Sequence, residues 1–264
     1  METKLIVTDV TQMGGTRICM GGITDDWDCI RPVLPYPGLQ ESMLYLEEDQ
    51  VIQPFSRITL DLFNHTEDPP HTEDWEFTSK ILDYRGELPE RHRVKFLEKI
   101  LDPSVASIFG TKIHEVNDRC YVDYGTGTRS LGTIKVGYLE NVNIINYNGS
   151  YWYGISFRDG SGKSYCMNIT DLAFRYFVRQ LIREGHNYFP KISEIIEEKL
   201  SGCEIYLRIG LGRRWHPDKT KPRNRCYLFI TGLYSFPDYL EGKSFTDFKD
   251  GVEDYPEENH EIPF

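Results

Sequence analysis

Ile58, Leu60 and Leu62 alternate with Arg57, Thr59 and Asp61, the period-two pattern of a strand with one buried face. The run lies in residues 51–63, and segments 4–10, 16–20, 27–33 and 75–82 also read as strands. Residues 16–20 and 27–33 flank the turn sequence Gly-Gly-Ile-Thr-Asp-Asp and are expected to form a β-hairpin. Residues 36–48, rich in Pro, Gly and acid, read as a connection with one helical turn. Further on the period changes. Val94, Leu97, Ile100 and Leu101 fall at helical spacing within residues 89–101, with proline at the start and Asp102-Pro103 at the end. Residues 104–129 are mixed and finish in Gly-Thr-Gly-Thr, a candidate domain junction.

The second half repeats this order. Residues 129–146, 150–158 and 163–170 read as three strands joined by Tyr-Asn-Gly-Ser and Asp-Gly-Ser-Gly turns. Leu172, Phe174, Phe177, Val178, Leu181 and Ile182 mark an amphipathic helix over 171–183, with Thr170 or Asp171 as its cap. Residues 192–200 add a short helix, and 204–211 and 226–233 return to strand. Three strands, a connection and two strands is the order of the OB-fold, a five-stranded barrel. The expected fold is therefore mainly β with a few helices, two OB-like five-stranded barrels in tandem. Residues 1–128 form the first, with an inserted amphipathic helix, 129–240 the second, and 241–264 an acidic tail. The 17 tyrosines and 22 glycines suit short, bent strands better than a helical fold.

A net charge of −11 excludes a simple basic nucleic-acid coat, so any anion site must be local. One such locality stands out. From Arg208 to Arg225, the basic residues Arg208, Arg213, Arg214, Lys219, Lys221, Arg223 and Arg225 face a single acid, Asp218. Its middle, Gly212–Asn224, is the loop between the fourth and fifth strands, one of the places where OB-folds bind oligonucleotides. Trp215 sits among the cations, as base stacking with phosphate neutralisation requires. A solvated basic loop with Trp215 tucked onto the barrel is the plainer alternative. If Tyr151, Tyr153, Ile155 and Phe157 face the core, alternation turns Trp152 and Arg158 outward, and by the same rule Tyr206 and Arg208. Together these would form a stacking platform.

A hairpin symmetric about Thr24 would set Arg17 opposite Arg31 and Cys19 opposite Cys29. Paired arginines call for an anion or a structural carboxylate between them. The cysteines (19, 29, 120, 166, 203, 226) lack Cys-x-x-Cys spacing and read as buried thiols in a reducing compartment, with Cys19–Cys29 as a redox alternative. His-Thr-Glu-Asp occurs twice, at 65–68 and 71–74, and reads as a polar loop rather than a metal site. Gly125, Gly210 and the Gly160-Ser-Gly-Lys163 turn lack the context of nucleotide loops, so no catalytic residue, metal or cofactor is assigned. No apolar stretch is long enough to span a bilayer, and a cytoplasmic location is expected. Seven acids between Asp247 and Glu261 suggest a solubilising tail that also competes for the basic loop.

Several segments, in this order, resemble the dual OB-containing domain family of prokaryotic proteins. They are Arg17-Ile-Cys-Met-Gly-Gly, Trp27-Asp-Cys-Ile-Arg-Pro-Val33, His71-Thr-Glu-Asp-Trp75, Arg129-Ser-Leu-Gly-Thr-Ile134, Cys226-Tyr and Tyr234-Ser-Phe-Pro-Asp238. The resemblance implies two OB barrels that bind nucleic acid in prokaryotic conflict or defence systems, and it favours functional roles for Arg17 and Arg31. The expected activity is binding of single-stranded or modified RNA or DNA. A protein-interaction module and a nucleotide-sensing domain are the alternatives.

Overall fold

The computed structural model describes residues 1–47, 49–147, 150–185, 188–216 and 218–248. Strands β1 (Glu2–Gln12), β2 (Ile18–Thr24) and β3 (Cys29–Val33) lead, through a single 3-10 turn at Glu41–Leu44 and the two-residue strands β4 (Tyr45–Leu46) and β5 (Asp49–Gln50), to β6 (Ser56–Asp68) and β7 (His71–Glu87). These close into a barrel of order β1-β2-β3-β7-β6, in which β3 and β7 run parallel and the other neighbours antiparallel. This is OB connectivity. Leu5, Val7, Met20, Ile58, Leu60 and Phe77 fill the interior, as the alternation in β6 requires. Helix α1 (Glu90–Lys99) buries Phe96 and Leu97, and Phe96 packs on Trp27 and Phe55.

The β2–β3 register differs from the symmetric hairpin. Ile23 pairs with Cys29 and Gly22 with Ile30, because the turn closes through Trp27 N–H to Thr24 O and Thr24 N–H to Asp28 O, two residues later than expected. Arg17 is therefore not opposite Arg31, nor Cys19 opposite Cys29. Arg17 bridges to Gln40, and Arg31 lies beside Asp74 on the parallel strand β7. The tandem His-Thr-Glu-Asp is likewise no loop. Its halves end β6 and begin β7, which pair to the tip at Asp68 and His71.

The second ring begins after α2 (Val105–Ile108) and the hairpin β8 (His114–Val116) and β9 (Arg119–Asp123). The single strand expected over 129–146 is two, β10 (Leu131–Lys135) and β11 (Tyr138–Tyr147), separated where Gly137 lies so close to the Asp159 carbonyl that a Cβ would meet it at 3.0 Å. The bend lets one stretch pair both ways, β11 with β12 (Ser150–Arg158) and β10 with β14 (Glu204–Leu211). Strand β13 (Ser164–Asn168) pairs with β12, and helices α3 (Leu172–Arg183) and α4 (Phe189–Leu200) precede β14 and β15 (Arg225–Phe236). The parallel bridge Ile169–Ile230 joins the β13 end to β15 and completes the circuit. The β8–β9 hairpin, on the N-terminal side of the expected junction at 128, hydrogen-bonds to the outer edge of β15.

The barrels share one apolar core that includes Val7, Met20, Ile134, Tyr153 and Ile230. Polar groups also lock the seam. Glu73 accepts from Ser130 N at 2.5 Å, Ser130 Oγ at 2.9 Å and Leu131 N at 3.0 Å, fixing the start of β10 to β7. Asp171 caps α3 by accepting from Phe174 N and also accepts from Leu233 N, while burial raises its pKa to about 6. Of the expected acidic tail 241–264, a turn at Phe245–Phe248 packs Phe245 and Phe248 under α3. The rest of that tail, 249–264, and with it competition for the basic loop, lies outside the described residues. No helix among the described residues is long and apolar enough to cross a membrane.

Candidate nucleic-acid interface

Between the barrels opens a cavity of about 550 Å³, walled by β1–β3 on one side and by β12, β15 and the β14–β15 hairpin on the other. Among the described residues, six arginines line it: Arg17, Arg31, Arg119, Arg175, Arg213 and Arg214. Asp9 is the one acidic residue among these lining groups, and it is committed to Arg208. The cleft is thus cationic in a chain of net charge −11.

The most buried of these arginines is Arg31, 4% exposed. The parallel pairing of β3 with β7 sets it beside Asp74, and Arg31 Nε donates to Asp74 Oδ1 at 2.6 Å. Asp74 Oδ2 holds Arg213 Nη2, also at 2.6 Å, so one carboxylate ties a deep arginine to a half-exposed one across the seam. Arg31 Nη2 has no hydrogen-bond partner among the described residues. Next to the pair, His71 is uncharged. Burial, reinforced by Arg31 and Arg213, pushes its pKa down to about 2. Burial raises the Cys19 thiol against the pull of the same two arginines, and raises Cys29 to about 11. Neither is bridged, burial holds both in the protonated thiol form, and the β2–β3 register does not set them opposite each other.

Aromatic side chains form the remaining walls: Tyr151 and Trp152 from β12, Tyr227 and Phe229 from β15, and Trp215 from the hairpin. Trp215 meets Tyr227 edge-on at 5.7 Å and is fixed by paired backbone hydrogen bonds with Arg225, so the hairpin continues as a ladder beyond β14. Arg119 lies over the Tyr227 ring at 5.0 Å and Arg214 over Tyr124 at 4.8 Å. Arg175 is held by the Ile169 carbonyl.

Of the residues singled out by sequence, the structure brings Arg17, Arg31, Trp152, Arg213, Arg214 and Trp215 into this one cleft. Lys219, Lys221 and Arg223 are exposed on the same hairpin outside it, and Arg225 stacks on Tyr121 at 4.7 Å. Three expectations fail. Arg208 is 2% exposed and bound to Asp9; Tyr206 is fully buried against Phe236; Arg158 is exposed but paired with Glu140 at 2.7 Å, away from the cleft. The first two have one cause. Strand β14 is buried on both faces, one by its own barrel and the other by β1 and its neighbours, so alternation there does not separate core from solvent. Arg119, Arg175, Tyr151, Tyr227 and Phe229 were missed. Tyr227 and Phe229 alternate with Cys226, Leu228 and Ile230, a signal for the opposite face, and Arg175 and Arg179 interrupt the apolar stripe of α3 at i, i+4.

The polar hairpin halves have defined roles. His65 stacks on Trp75 at 4.5 Å, Asp68 accepts from Tyr124, and Glu73 and Asp74 serve the seam and the arginines.

Fold and cleft together define a tandem OB-barrel protein with a basic, aromatic-walled groove at the barrel seam. The model of the dual OB-containing domain family matches residues 3–233, and the chain belongs to that family. Comparison with curated proteins finds no match to this chain.

Proposed function

We propose that the protein binds single-stranded nucleic acid, RNA or DNA, in the inter-barrel cleft and along the basic β14–β15 hairpin. One observation carries the reading: arginines and aromatic rings from both barrels, distant in sequence, line a single cavity. Phosphates are neutralised by the arginines, and bases stack on Trp152, Tyr151, Trp215 and Tyr227. Lys219, Lys221 and Arg223 extend the cationic track outside the cleft. Membership in the dual OB-containing domain family supports the same class of ligand; the setting we propose is the cytoplasm of a prokaryote, in defence against foreign or modified nucleic acid.

The test is a salt-titrated binding series with random 12-nucleotide DNA and RNA, read by tryptophan fluorescence. Quenching with an affinity that falls steeply as salt rises supports the proposal. Saturable quenching by a mononucleotide with no gain for the longer strand would instead favour a nucleotide sensor, a reading that the concave form of the cleft also permits. Binding of an acidic protein partner without either would favour an interaction module.

A further inference from the structure

The Arg31–Asp74–Arg213 cluster asks for a ligand of particular charge. Arg31 lines the cleft, is almost completely buried, and keeps one guanidinium nitrogen without a partner among the described residues. An unsatisfied buried donor on a permanent cation is costly unless something completes it. Asp74 does not do so: its oxygens accept from Arg31 Nε and Arg213 Nη2, and neither is bonded to Arg31 Nη2. The His71 imidazole beside them is kept neutral by burial, with Arg31 and Arg213 adding to the effect, so it contributes no charge. Arg17 lines the same cavity. Arg31, Arg213 and Arg17 stand against the carboxylates of Asp74 and Glu73, both of which act on Arg31, and the floor of the cleft stays net cationic.

We infer that the floor of this cleft is a pocket for a terminal phosphate monoester, so that the protein grips a nucleic-acid strand by a phosphorylated end. A monoester carries about −1.5 to −2 charge and three acceptor oxygens, which suits a cationic floor that holds an unpartnered donor. An internal phosphodiester carries one charge and brings chain on both sides of the phosphorus, which suits an exposed track rather than a residue as buried as Arg31. Arg31 Nη2 and Arg213 donate to the phosphate oxygens, and the terminal base stacks on the aromatic wall containing Trp152. Lys219, Lys221 and Arg223 meet the diesters that follow. This inference rests on the nucleic-acid reading and narrows it to strand ends.

The test compares one 12-nucleotide sequence carrying a 5′-phosphate, a 3′-phosphate or neither, together with the corresponding free nucleoside monophosphate, on the full chain at fixed salt. One phosphorylated form should bind roughly tenfold tighter than the unphosphorylated strand, the worth of one added charge-assisted hydrogen bond. Arg213→Gln should reduce that ratio to less than about twofold, with folding checked by circular dichroism. The wild-type comparison stands whatever the variant does. Equal affinity for all three strands, with a steep salt slope, overturns end recognition and leaves nucleic-acid binding intact. A free monophosphate binding as tightly as the best strand overturns it in favour of a nucleotide pocket. Absence of binding by every strand overturns both readings.

Discussion

Asp9 on β1 and Arg208 on β14 meet between the two barrels, Asp9 Oδ2 lying 3.0 Å from Arg208 Nη2, with both side chains at least 97% buried. Thr133 accepts a further bond from Arg208, and Thr8 and Thr231 donate to Asp9. The pair is therefore a fully satisfied charged plug in the seam, immediately beside the cleft. Breaking it from one side strands a buried charge. Arg208→Met or Asp9→Leu alone should destabilise the protein by about 3–5 kcal/mol, and the double replacement should recover part of that loss. Urea unfolding midpoints of the four proteins check this. Additive losses would mean that the two charges act independently.

The two cleft tryptophans should contribute differently from the exposed lysines. Trp152→Ala or Trp215→Ala should weaken single-strand binding by about 1–3 kcal/mol while costing duplex binding less. Parallel titrations of one sequence in both forms measure it. Equal losses on the two forms would exclude stacking on an unpaired base.

Lys221→Gln and Arg223→Gln remove charges that lie outside the cleft on an exposed hairpin. Each should weaken binding evenly across sequences and flatten the log–log salt dependence by about 0.7, the single-strand value per phosphate contact. Binding isotherms at four salt concentrations yield that slope, and an unaltered slope would show that the hairpin does not touch the strand.

His71 makes stability depend on pH. Its folded pKa of about 2 lies well below the value of about 6.5 in an unfolded chain, so below that pH the unfolded state takes up a proton which the folded state refuses. Stability is lost on acidification at up to about 1.4 kcal/mol per pH unit. Asp171 acts the other way. Its pKa is raised by burial to about 6, so its contribution is greatest in acid and fades as pH rises from about 4 to 6. The two partly cancel, and the informative quantity is the difference between wild type and His71→Phe. Urea midpoints should favour the variant increasingly as pH falls from 7 to 5. A constant difference would mean that His71 titrates normally in the folded protein.

The barrels should not separate. A fragment beginning at residue 129 lacks the β8–β9 edge of β15, the α2 packing against β10 and the Glu73 contact at Ser130. Produced alone, residues 129–248 should show no cooperative thermal transition, whereas the whole chain should unfold in one. A sharp transition from the fragment would establish an autonomous second domain.

The strands were legible because a half-buried strand writes its pleat into the chain, and Ile58, Leu60 and Leu62 do so plainly. The β2–β3 register was not, since Gly-Gly-Ile-Thr-Asp-Asp allows turns of several lengths and a two-residue displacement preserves the alternation. The basic hairpin was visible through local charge excess. Arg119, next to Asp118, carries no local signal, and Arg175 shows only as a break in the apolar stripe of α3; each becomes part of a site only through the meeting of two barrels. Tyr206 and Arg208 misled for the converse reason: their outward face exists, but another barrel covers it. Glu73 and Asp74 looked like solvent-facing loop acids, and only the length of the β6–β7 ribbon carries them into the seam.

Glu73 gives that ribbon an architectural consequence. Because it grasps the main chain where β10 begins, Glu73 joins the Asp9–Arg208 pair and the shared core in holding the mutual angle of the barrels, rather than leaving it to the residues that lead to Ser130. The Asn117-Asp118 turn in that approach, with both residues in left-handed backbone conformations, can lengthen without rotating one barrel against the other. Relatives with longer or shorter approaches would then inherit a groove of the same width.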